Sequence, residues 1–122
     1  MTQSIATLIT RNLHEVFGEG DPQRRRSVIE TIFTEDAAFY APDGIHRGWA
    51  EIDQIAGTIR AMHPDFVYTP LGEPEDLHGA AGRLRWAAGR PGEQPVYAGT
   101  DFITVRDNRI AALYLFFDTN PA

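Results

Sequence analysis

The chain has 122 residues, a formal net charge of −6 and no cysteine, which excludes disulfides and thiolate metal sites. Its acidic balance argues against nucleic acid, whose phosphates select basic faces. No apolar run approaches the ~18 residues of a membrane span, and MTQSIATLITRNL lacks the charged start and long apolar run of a signal peptide, so the expectation is one cytoplasmic domain over residues 1–122 with no membrane contact.

Ile5, Leu8, Ile9, Leu13, Val16 and Phe17 recur at helical spacing, so residues 3–17 read as one amphipathic helix that Gly18 and Gly20 end. Asp21-Pro22 combines an N-cap with proline at the first helical position. The second helix carries Val28, Ile29, Ile32 and Phe33 inward, and its Arg24-Arg25-Arg26 run reads as a solvated face. A short strand over 37–41 precedes a Pro42-Asp43-Gly44 turn, with His46 in a loop. After Gly48 a third helix buries Ile52, Ile55, Ala56, Ile59 and Met62. It ends near His63, because Pro64 disfavours helix in the residue before it.

From there the apolar period becomes two. Residues 65–71 read as a strand with Phe66 and Tyr68 on one side, 72–76 as a turn, and 77–88 as a strand with Gly82, Leu84, Trp86 and Ala88 on one side and Arg83 and Arg85 on the other. A Gly- and Pro-rich loop, 89–95, leads to a hairpin over 97–118 around Asp107-Asn108, residues that tolerate the positive φ of a two-residue turn. Its first strand sets Asp101, Ile103 and Val105 against Phe102, Thr104 and Arg106. The second sets Ala111, Leu113, Leu115 and Phe117 against Ala112, Tyr114, Phe116 and Asp118. Both faces of that strand are apolar, so both are expected to be covered, one by the core and one by a partner. Helices first and an antiparallel meander afterwards indicate an α+β domain whose twisted sheet curls around three helices and leaves its open end as a pocket.

Asp101 is the leading candidate for chemistry. A carboxyl among apolar neighbours is desolvated, its pKa rises, and it can give or take a proton near neutral pH. His63, at the end of the third helix, and Tyr40 are candidate assistants. Phe39, Phe66, Tyr68, Trp86, Leu113, Leu115 and Phe117 are expected to line the concave side, Trp86 offering a flat face and an indole donor. Tyr114 and Phe116, with Arg83 and Arg85, fall on the outer face and suggest a homodimer, with Asp118 pairing an arginine across the subunits. No metal is expected, since the four histidines lack clustered spacing and the acids at 73, 75 and 76 read as a solvated turn. No cofactor is needed and no phosphate-binding Gly-rich loop is present.

The Gly-Glu-Gly-Asp helix break, FTEDAAFYAPDGIHRGWAEI, MHPDF, Trp86, GTDF and RIAALYLFFD stand in an order that resembles the SnoaL-like family of the nuclear transport factor 2-like superfamily. The resemblance implies a cone-shaped fold of three N-terminal helices on a curved, mostly antiparallel sheet, usually dimeric through the outer face. Its members include ketosteroid isomerases, polyketide cyclases, epoxide hydrolases, dehydratases and proteins that only bind or dimerise. Asp101 in GTDF matches the strand acid of the isomerases and cyclases. The isomerase's base and tyrosine donor fall at Ala41 and Leu13, so those two groups are absent. Arg83 and Arg85 alternate with Trp86 and should face away from Asp101, which argues against the Asp-Arg-Asp set of the epoxide hydrolases. The expected function is binding of a hydrophobic ring compound, with cofactor-independent isomerase, cyclase, dehydratase or hydrolase chemistry at Asp101. A non-catalytic ligand-binding or dimerisation module is the alternative.

Overall fold

A computed structural model describes residues 3–118. Ser4 opens α1 (Ile5–Arg11) by accepting a hydrogen bond from the Thr7 amide at 3.1 Å. The helix does not run on to residue 17 as an α-helix. It widens into a π-helical turn over Asn12–Phe17, where Asn12, Leu13, Val16 and Phe17 are all buried. Asp21 caps α2 (Pro22–Ile32) through the Gln23 amide at 2.9 Å, as the Asp-Pro signal predicts.

The strand expected from residue 37 begins at Phe33, directly after α2, and forms β1 (Phe33–Ala41). Its early part hides from alternation because the pairing register shifts between Phe33 and Ala38, which leaves Glu35 and Asp36 in solvent. His46 lies on a strand, not in a loop: β2 (Gly44–Arg47) pairs back on β1 and sets His46 opposite Phe39, their rings 5.7 Å apart. α3 (Gly48–Met62) stops at His63. Next come β3 (Val67–Pro70), β4 (Glu75–Leu77) and β5 (Ala81–Gly89). The single strand expected over 77–88 is thus split, because His78 and Gly79 take φ of 56° and 69° and turn the chain between β4 and β5. β6 (Tyr97–Arg106) and β7 (Arg109–Phe117) form the expected hairpin, with Asp107 and Asn108 at φ of 55° and 61°.

The strands form one sheet in the order β2-β1-β7-β6-β5-β3, with β4 also on β5. Every neighbouring pair is antiparallel except β1 with β7. A bulge between Thr104 and Val105 shifts the β6–β7 register, so Ile110 rather than Ala111 enters the core near the turn. The helices pack into the curve of the sheet, with Leu8, Leu13, Ile29 and Ile52 against Phe33, Ile103 and Leu113. This is the cone-shaped α+β fold that the sequence resembles.

The arginine run on α2 is not wholly solvated. Arg25 is buried, with its Nε 2.9 Å from Asp53 on α3 and its Nη1 donating to the Glu19 carbonyl at 3.0 Å. A Cβ on Gly57 would lie 2.9 Å from Arg25 Nη2, so the missing side chain makes room for the guanidinium that ties α2 to α3.

Candidate functional site

A cavity of about 350 Å³ opens between the concave sheet and the helices, a size usual for small-molecule sites. Pairing register explains its inner surface. Leu84, Asp101 and Leu115 lie side by side on β5, β6 and β7, and Trp86, Gly99 and Phe117 form the next inward-facing row. Asp101 therefore has leucines on both neighbouring strands and Ile103 and Gly99 along its own face. These neighbours strip water from the carboxyl, which is 5% exposed.

That desolvation dominates its acidity. Burial lifts the Asp101 pKa from 3.8 to about 7, with the Trp86 indole and the Asn12 amide pulling partly the other way. Neither makes a well-formed hydrogen bond: Trp86 Nε1 and both polar atoms of the Asn12 side chain are buried without a partner. Asn12 comes from the π-helical turn, a widening that recurs at functional sites. Four polar groups on three elements thus gather around the Asp101 carboxyl, and three of them have unspent hydrogen-bonding capacity.

Seven of the ten expected site residues line this cavity: Asp101, His63, Phe39, Tyr68, Trp86, Leu115 and Phe117. The other three do not. Leu113 is 1% exposed and faces the helices deeper in the core. Phe66 is buried behind the mouth, its ring stacked on His63 at 4.1 Å. Tyr40 is on the opposite side of the sheet, stacked on Tyr114 at 4.7 Å, and cannot assist Asp101. The wall also includes Phe17, Ile59, Met62, Val96 and Tyr97, which the sequence reading did not select. Tyr97 shares the strand parity of Asp101, and Asn12 falls on the helical stripe of Leu8 and Ile9, so both carried a readable signal.

The outer face carries Tyr40, Tyr114, Phe102 and Phe116, the last 64% exposed. Asp118 pairs with Arg85 within the chain, Nε to Oδ2 at 2.9 Å. Arg83 pairs with Glu75 at 2.7 Å. Both arginines point away from the cavity, so no Asp-Arg-Asp set forms around Asp101. Among the described residues no helix is long and apolar enough to cross a membrane.

This cone, with a single acid in its hollow, defines a class, and comparison with known proteins gives the family. The model of the SnoaL-like domain matches residues 10–113, and the chain belongs to that family. A candidate isomerase of the SnoaL-like family from Agrobacterium tumefaciens superposes with a TM-score of 0.84 at 25% identity, over 93% of this chain and 96% of that one. A candidate polyketide cyclase from Sinorhizobium meliloti gives 0.67 at 22% identity, over 89% and 93%. A de novo designed protein with a curved β-sheet gives 0.69 at 11% identity, over 91% and 82%. No curated protein sequence matches the chain. The likeness to a designed protein is one of fold, and a fold by itself does not specify an activity.

Proposed function

We propose that the cavity binds a hydrophobic ring compound and that Asp101 exchanges a proton with it, in a cofactor-independent isomerisation, cyclisation, dehydration or hydrolysis. The observation that carries this reading is a carboxyl in an apolar cavity, buried enough to titrate at about 7. An acid of that strength is present in both forms at neutral pH and loses little driving force in either direction. The apolar wall excludes water that would otherwise compete for the proton. His63 lines the same cavity and is the candidate second proton carrier.

Carbon-13 NMR of Asp101 tests the reading. The carboxyl is expected to titrate near 7, and 2-naphthol, a flat uncharged probe, is expected to move that titration as it fills the cavity. Titration near 4 would remove the acid–base role. A titration unmoved by saturating 2-naphthol would remove the ligand site.

The exposed Phe116 beside the Tyr40–Tyr114 stack favours a second proposal, that two copies pair through the outer sheet face. The internally paired Arg83 and Arg85 would rim the contact. Sedimentation velocity at micromolar concentration should give a dimer that Phe116→Asp dissociates. A wild-type monomer would refute the pairing.

A further inference from the structure

The cavity has a second polar end. Asp101 and Tyr97 are four residues apart on β6 and face the same side, which separates their Cα atoms by roughly 13 Å. Across the sheet, Tyr68, Ala88 and Tyr97 form one inward row on β3, β5 and β6, so the two phenols flank a residue with almost no side chain. Between this row and Asp101 lies the row of Trp86, Gly99 and Phe117. A Cβ on Gly99 would lie 3.2 Å from Trp86 Cζ2 and 3.4 Å from Leu115 Cδ1, so the indole leans over the glycine. The middle of the cavity is therefore flat, aromatic and apolar, with oxygens at both ends.

The Tyr97 ring is held from several sides. It meets Phe117 edge to face at 5.6 Å and Trp86 at 6.0 Å, with Phe66 at 6.1 Å and His63 at 6.3 Å. Tyr68 meets Trp86 edge to face at 5.4 Å. Burial first, and then the nearby Tyr97 phenol, push the Tyr68 hydroxyl's pKa up, so it keeps its proton. The Tyr97 phenol, which lines the cavity, has an O–H to donate. Arg60 Nη1 donates to the Phe66 carbonyl at 2.6 Å and the His63 carbonyl at 3.5 Å, and its charge is felt at the Tyr68 hydroxyl.

Building on the reading of the cavity as a ligand site, we propose that Tyr97 is a specificity-determining residue that donates a hydrogen bond to an oxygen at the end of the ligand away from Asp101. The ligand is then a flat ring system with one oxygen at Asp101 and a second, a carbonyl, ether or hydroxyl, at the far end.

Two isosteric probes isolate this contact: 6-methoxy-2-naphthol and 6-ethyl-2-naphthol differ by one acceptor oxygen in place of a methylene. Their affinities are measured by fluorescence titration of the intact protein. Tyr97→Phe is expected to lower the methoxy-to-ethyl affinity ratio about fivefold, the worth of one neutral hydrogen bond. Asp101→Asn is expected to leave it unchanged. A ratio untouched by Tyr97→Phe, or one that answers to Asp101→Asn instead, would overturn this inference and leave the ligand site standing. Failure of both naphthols to bind the wild-type protein would overturn the ligand site and the inference with it.

Discussion

Asp101→Asn should make the protein more stable, and only above acidic pH. The unfolded chain releases this proton near 3.8, whereas the folded protein keeps it to about 7. Between those values the folded state binds the extra proton, so stability falls as pH rises. The contribution is fully present below 3.8 and lost as pH rises through about 7. At 1.36 kcal/mol per unit the ionised carboxyl weakens the fold by about 4 kcal/mol, a ceiling because water in the cavity can solvate it. Asparagine fills the same volume and cannot ionise. Urea unfolding followed by circular dichroism between pH 4.5 and 8.5 measures both proteins. The difference, variant minus wild type, should climb through this range and level off near pH 8. Asp36, Asp65 and Glu75, held below the usual carboxylate range first by hydrogen bonds from Arg106, Arg90 and Arg83, destabilise both proteins alike on acidification and cancel in the difference. Parallel stability curves would refute the desolvated carboxyl.

Trp86→Phe removes an N–H that lowers the Asp101 pKa, so the carboxyl should titrate higher in the variant when followed by carbon-13 NMR. Gly99→Ala sets a methyl group 2.9 Å from the Phe116 carbonyl oxygen and 3.2 Å from the Trp86 ring. The resulting overpacking should cost about 2 kcal/mol in urea unfolding and change the tryptophan signal in near-ultraviolet circular dichroism. Arg25→Met leaves the Asp53 carboxylate, 24% exposed, without its 2.9 Å partner. It should lower stability by about 2 kcal/mol in urea unfolding.

The acid and much of its surroundings were legible because they obey period two. Asp101, Trp86, Leu115 and Phe117 fall at the parities that the hairpin and β5 require, and a lone acid among apolar residues needs a reason. Depth was not legible. Parity cannot separate Leu113, sealed under the helices, from Leu115 two residues on, because depth depends on where the helices cross the sheet. The wall supplied by Ile59, Met62 and Val96 was hidden for the same reason. Local backbone departures hid more. The β6–β7 bulge brings Ile110 inward against simple alternation, and the His78-Gly79 turn divides one apparent strand in two. Arg25 is a different case, since it stands on the Ile29 and Ile32 stripe and charge concealed a position that periodicity marks as buried.

The polar groups inside the cone are the strongest argument that it has a ligand. A curved sheet over helices can be built with an apolar hollow, and that choice would be more stable, because each buried donor or acceptor without a partner costs about 1–3 kcal/mol. Asn12 and Trp86 each bury such groups, and Asp101 weakens the fold further whenever it ionises. None of these groups is needed to close the core, which Leu8, Leu13, Ile103 and Leu113 already fill. Their common property is position, gathered around the Asp101 carboxyl, which faces the cavity. If ligand binding is the reason for keeping them, replacing Asn12 by Leu should stabilise the empty protein and weaken its hold on 2-naphthol. A stabilised Asn12→Leu variant that binds the probe undiminished would break the link between the buried amide and the ligand.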